Sequence, residues 1–210
     1  MKDPQPRPKR SRKRLAVGVL LALLVLSVLV WPAYRGAVTL QAAHEVMNHG
    51  RRVMLALMGS RSDEGERGGP APVIFPQTSD GFQTSADYFR DAFTNNYLRG
   101  LDLSVFWAPG LSSLADPTNP AAFGSQNNAW CITLDTVDSD PLWLPMMFTR
   151  NLCFTGTTLD TFVGLDKNAK PFGDQVGVVV TKGGAARILN KGATLGDFNP
   201  SGATNRFLRP

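Results

Sequence analysis

The chain is poor in the residues that carry most chemistry. Its 210 residues include only two cysteines, Cys131 and Cys153, and only two histidines, His44 and His49. Two cysteines exclude a disulfide-dense scaffold and a four-thiolate zinc site. The histidines lie five residues apart on one segment, a poor spacing for sharing a metal ion on a helix. No G-x-S-x-G accompanies them, so a Ser-His-Asp arrangement lacks its usual elbow. Phosphate-cradling loops of the G-x-G-x-x-G or G-x-x-x-x-G-K-[ST] type are also missing, and Gly183-Gly184 reads as a turn. An exported hydrolase is therefore the least supported class, and the residues point to a protein that is not an enzyme.

The charge is unevenly distributed. The formal net charge is +5, from 22 Lys and Arg against 17 Asp and Glu. Residues 1–14 hold seven basic residues, Lys2, Arg7, Lys9, Arg10, Arg12, Lys13 and Arg14, against one acid, Asp3, a local net of +6. The other 196 residues carry 15 basic and 16 acidic groups, a net of −1. A groove built to neutralise phosphates is not expected from such a chain, and no nucleic-acid partner is implied.

Charge is absent altogether from Leu15 to Trp31, LAVGVLLALLVLSVLVW, where Ser27 is the sole hydroxyl. At about 1.5 Å per residue these positions span roughly 25 Å. Pro32, Ala33 and Tyr34 extend the reach to about 30 Å, the thickness of a bilayer's hydrocarbon core. Trp31 and Tyr34 fall where an aromatic interface belt lies, and the basic run before Leu15 is expected to stay cytoplasmic. A cleaved signal peptide is the competing reading. It fits poorly: cleavage after Ala33 or Ala37 sets Trp31 or Arg35 at the −3 position in place of a small residue. The expectation is a basic cytoplasmic tail (1–14), a single membrane-spanning helix (15–34) and an exported remainder in the periplasm.

Beyond the span, apolar residues keep helical spacing. Val38, Ala42, Val46, Val53 and Leu57 recur with Leu40, Ala43, Met47, Met54 and Met58 beside them, while Gln41, His44, Glu45, Asn48, Arg51 and Arg52 fall between. This predicts an amphipathic extension over 35–58, weakened locally at Gly50 and stopped by Gly59-Ser60. Residues 59–83 read as a polar loop containing the short apolar clamp Val73-Ile-Phe-Pro76. Thr84-Ser85-Ala86-Asp87 resembles a capping box opening a second helix, whose Tyr88, Phe89, Ala92, Phe93 and Tyr97 share a face up to Gly100.

The remainder reads as strands. Leu103–Trp107 is β-prone, followed by a Pro/Ser/Asn-rich loop at 111–126. Asn128–Leu134 and Leu144–Phe154 are further strand candidates. Gln175–Thr181, the turn Lys182-Gly183-Gly184, and Ala185–Leu189 form the clearest hairpin. The tail 190–210 reads as irregular. Helix, loop, helix and then strands closing in a hairpin give an α+β fold with an antiparallel sheet, its exported part at 84–189.

Two further candidates concern cations and thiols. Asp135, Asp138 and Asp140 offer hard oxygen ligands at near-alternate spacing, which suits calcium, although Gly and Glu are missing from the EF-hand positions; a solvated turn is the plain alternative. Cys131 and Cys153 each lie in a strand candidate, and an exported compartment would permit a disulfide between facing strands. Two buried, unpaired small hydrophobes are the alternative.

Several strings bear a family resemblance. Asn48-His-Gly-Arg51 followed by Leu55-Ala-Leu57, the position of Pro32, the Phe75-Pro76 pair, and the segments NNAWCITLD (127–135), PMMFTRNL (145–152) and VGVVVTKGGAARIL (176–189) resemble type II secretion pseudopilins and type IV pilin-like proteins. The likeness covers roughly residues 36–189. It implies a long helix, half in the membrane and half laid on an antiparallel sheet, in a non-catalytic subunit that packs against other subunits through residues 15–58. Major pseudopilins also carry a calcium loop, nearer their C-terminus. The chain departs from the pattern at its start: Arg14-Leu15 is not a Gly-Phe-type peptidase site, and Leu15–Trp31 has no glutamate. A signal-anchored module that keeps this shape without polymerising, and binds an envelope partner through its loops, is the alternative expectation.

Overall fold

The computed structural model describes residues 10–66 and 75–210 of the chain. Two compact units divide at Val38/Thr39. Helix α1 (Arg10–Glu66) runs through both, and in the first it carries an uncharged apolar run from Leu15 to Trp31. Leu20, Leu24, Val28 and Leu29 are all more than half exposed. Its stretch from Val17 is long and apolar enough to cross a membrane. Trp31 stacks on Tyr34 with centroids 6.1 Å apart, and the Arg35 guanidinium lies 4.8 Å from the Trp31 ring centroid.

Within the second unit α1 becomes one-sided. Ala43, Val46, Gly50, Val53, Met54, Leu57 and Ser60 are buried, a stripe that steps by three and four residues. This is the periodicity of a helix laid on a core. Val38, expected on that stripe, and Leu40, expected beside it, are nearly half exposed. The helix runs through Gly59-Ser60 to Glu66, so the expected loop begins later than the sequence suggests. Glycine weakens a helix by only about 1 kcal/mol, and Ser60 is anchored by a 2.7 Å hydrogen bond from its hydroxyl to the Tyr97 carbonyl. Val73 and Ile74 of the apolar clamp lie outside the described residues, while Phe75 is buried.

Helix α2 (Ser85–Thr94) opens with the expected capping box: the Asp87 amide donates to the Thr84 hydroxyl and the Thr84 amide to the Asp87 carboxylate. It ends before Gly100, and Asn95–Gly100 form turns. Leu103–Phe106 is a 3₁₀ turn, not a strand. Asp102 caps it by accepting from the Ser104 amide at 2.9 Å, a local hydrogen bond that overrides β propensity.

The main sheet has five strands in the order β6-β5-β2-β1-β7, all antiparallel. They are β1 (Trp130–Thr133), β2 (Pro145–Thr149), β5 (Val176–Thr181), β6 (Ala186–Asn190) and β7 (Phe207–Leu208). The candidate strand at 144–154 is in fact two: β3 (Leu152–Phe154) leaves the main sheet and pairs with β4 (Phe162–Leu165) in a separate ribbon. The architecture is thus α+β, a long helix and a short helix with an antiparallel sheet.

Both faces of the main sheet are covered. Trp130, Ile132, Met147, Val178 and Val180 join α1 and α2 in one core. Their alternates Cys131, Phe148 and Val179 face a second core with Phe154, Phe162, Phe198 and Phe207. Phe148 lies 5.2 to 5.3 Å by centroid from Phe154, Phe198 and Phe207. Burial on two sides explains why β2 and β5 read as unbroken apolar runs. It also orders the tail. Residues 190–210 include helix α3 (Leu195–Phe198) and β7, and the Arg206 carbonyl accepts from the Leu134 amide at 2.7 Å.

Candidate interaction surface

The β5–β6 hairpin and the acidic loop facing it form the most constructed surface of the sheet unit. Gly184, at φ +78°, closes the turn; its amide donates to the Thr181 carbonyl, and the Thr181 amide to the Ala185 carbonyl. A three-residue connection with glycine in the left-handed region is a standard hairpin geometry. The Lys182 and Gly183 amides then donate to the Leu144 and Leu142 carbonyls at 2.9 and 2.8 Å, which fastens the turn to the loop before β2.

That loop holds the three candidate calcium ligands, Asp135, Asp138 and Asp140. Among the described residues no group of three or more His, Cys, Asp or Glu side chains is placed to hold a metal ion. The Asp135 carboxylate accepts instead from the Thr78 amide and hydroxyl at 2.7 and 2.6 Å. The Asp140 carboxylate accepts from the Val137 amide at 2.8 Å. The cation of the loop is a side chain: the Lys182 ammonium donates to the carbonyls of Val137, Asp138 and Asp140 at 2.5, 2.9 and 2.8 Å. Lys182 is buried, so its charge is held by backbone dipoles in place of water.

Cys131 and Cys153 are free. Cys131 sits in β1 of the main sheet and Cys153 in β3 of the ribbon. Burial pushes the Cys131 thiol up to about 12, as expected of a small hydrophobe in a core. His44 is exposed on α1. His49 is half-buried with no partner for Nδ1. Its pKa falls below the usual value, first from burial and then from the neighbouring Arg52 charge, against opposing effects from Glu45 and Asp102.

Around the Lys182–Gly184 turn, apolar side chains are held outward. Val137, Leu142 and Trp143 on the loop and Leu55 on α1 are each more than half exposed. Leu142 and Trp143, with Gly183, Ala185 and Ala186, line a cavity of about 350 Å³. A second cavity, about 460 Å³, runs from Arg187 past Lys191 to Gly196 and Asp197. Strand β6 borders both. Sequence reasoning found the hairpin and the acidic loop, but it missed the lysine that joins them and the open strand beside them. The one legible hint was the alternation of Arg187 with Ala186 and Ile188.

No family model, curated protein or solved structure matches the chain.

Proposed function

We propose that the protein is a membrane-anchored, pseudopilin-like subunit or accessory of a type II secretion or type IV pilus-related system, acting by assembly and not by catalysis. The observation that carries this reading is the division of labour along α1. From Val17 to Tyr34 it is uncharged and exposed, while from Ala43 to Ser60 the same helix buries a single stripe in the sheet unit. Such a helix serves a bilayer and neighbouring subunits with one part and its own domain with the other. In this reading the +6 tail holds the N-terminus in the cytoplasm of a single-pass inner-membrane protein, and the sheet unit lies in the periplasm.

A second reading is favoured by one observation, the lack of any glutamate from Leu15 to Trp31. In it the chain is a non-polymerising, signal-anchored binding module of the same shape. The two diverge under one experiment. The full chain is co-expressed with a prepilin peptidase, its N-terminus is sequenced, and photocrosslinkers at Leu20, Leu24 and Val28 report neighbours in the membrane. Removal of the basic tail, with crosslinks to pseudopilin-type subunits, supports the subunit. An intact N-terminus with crosslinks to lipid alone defeats it in favour of the module.

A further inference from the structure

The charges that open α1 have no counter-charge near them in sequence. Arg10, Arg12, Lys13 and Arg14 fall within the first five residues of the helix. From Pro4 to His44 the chain contains no Asp or Glu. The ion pairs between residues three or four apart that ordinarily balance charge along a helix are therefore impossible here. Leu15 to Trp31 follow without a charge, so the neutralising groups come from outside this stretch of chain.

The helix fixes where such groups must lie. At about 1.5 Å per residue, Arg10 to Arg14 span about 6 Å directly below the apolar run. A bilayer has a hydrocarbon core of about 30 Å within a full thickness of about 40–45 Å, which leaves each leaflet a headgroup layer about 5–7 Å deep. The four cations occupy that layer when Leu15–Trp31 lie in the core. At about 100° per residue, their Cα positions cover an arc of roughly 200°. A helix packed on one neighbour presents a stripe of roughly 100°. The wider arc suits ligands that surround the helix, as lipid headgroups do, better than a single acidic helix of a partner protein. The far end of the run differs. Arg35 is the single Lys or Arg between Leu15 and Gly50, and its guanidinium lies 4.8 Å from the Trp31 ring centroid. The demand for anions is thus concentrated in the leaflet beside Arg14.

We infer that Arg10, Arg12, Lys13 and Arg14 form a collar that binds the phosphate groups of acidic phospholipids, so that the anchor carries a lipid shell enriched in net negative charge. Each Lys or Arg near an anionic lipid surface adds to the attraction, whereas a zwitterionic headgroup offers no net charge to meet it. The inference rests on the membrane-anchored reading and not on assembly into a secretion system, and it concerns the chain that retains its basic tail.

The full-length chain is reconstituted in nanodiscs of equal parts phosphatidylglycerol and phosphatidylcholine, and native mass spectrometry counts the lipids that stay bound. Both leaflets of a disc are alike, so insertion in either direction gives the same result. The wild type should retain phosphatidylglycerol over phosphatidylcholine by about fivefold or more, and replacing Arg10, Arg12, Lys13 and Arg14 by Gln should bring the ratio close to parity. Arg35→Gln should leave the preference intact. Equal retention of the two lipids by the wild type, a preference that survives the four Gln replacements, or one lost with Arg35→Gln would each overturn the inference. So would loss of the preference in millimolar inorganic phosphate at matched ionic strength, since free phosphate would then be the ligand. Displacement of phosphatidylglycerol by a short single-stranded DNA would also overturn it, because nucleic acid would then be the preferred polyanion. A chain that enters discs without lipid preference defeats the collar alone; a chain that enters none defeats the anchored reading with it.

Discussion

At the scale of single residues, the most informative position is one whose sequence signal misleads. Gly50 reads as a weak point in a helix. A Cβ built there would lie 2.5 Å from Cη2 of Trp130 and 2.8 Å from Cγ2 of Val180, so glycine marks where α1 touches the sheet. Helix propensity favours alanine by about 1 kcal/mol. Overpacking costs about 1–3 kcal/mol and lies at the upper end here, because Trp130 is fully buried and has nowhere to turn. Gly50→Ala should therefore destabilise the sheet unit by about 2 kcal/mol net. Gly59, on the same helix, has nothing within 4 Å of the added atom, and Gly59→Ala should be neutral or stabilising. Denaturant unfolding of both variants in nanodiscs, followed by tryptophan fluorescence, checks the pair. Equal shifts would mean that Gly50 is not a contact.

At the scale of elements, legibility followed the range of the interactions. The capping box of α2, the β5–β6 hairpin and the β1 string were readable because each depends on residues close in sequence. Leu103–Phe106 misled for a related reason: its β-branched and aromatic residues suggest a strand, but Asp102 offers the backbone a competing partner. The tail was misread because Phe198 and Phe207 are single aromatics among Gly, Asn and Pro, with no period to reveal the core they enter. The acidic loop shows the limit most clearly. Its carboxylates suggest a metal, whereas its cation, Lys182, comes from more than forty positions downstream. This carries a prediction. Lys182→Met leaves three backbone carbonyls without a charged donor and should cost about 2–3 kcal/mol. Limited proteolysis should then cut the wild type slowly and the variant rapidly between Val137 and Leu142. Calcium should leave the wild-type unfolding curve unmoved, since an ammonium already occupies the loop. A calcium-dependent rise in wild-type stability would show that the carboxylates, not Lys182, organise it.

At the scale of the whole molecule, the +5 net charge says little until it is divided along the chain. The apolar stretch of α1 satisfies its own backbone hydrogen bonds, which is what a bilayer requires of a spanning segment. Orientation is set by the balance of Lys and Arg within about 15–20 residues of each end, and acidic residues count for little. Seven basic residues precede Leu15, whereas Arg35, Arg51 and Arg52 are the basic residues between Trp31 and Gly59. That asymmetry predicts a single orientation with the sheet unit outside. Replacing Arg10, Arg12, Lys13 and Arg14 by Gln leaves Lys2, Arg7 and Lys9, close to parity with the far side. The span itself is unchanged by these replacements, so the altered chain should still enter the membrane, but in both orientations. Protease added to spheroplasts should digest the sheet unit of the wild type completely and that of the Gln variant only in part; in inverted vesicles the wild-type unit should survive and the variant's should survive only in part. Complete digestion of both in spheroplasts would mean that the folded unit itself, and not the basic tail, decides which side it occupies.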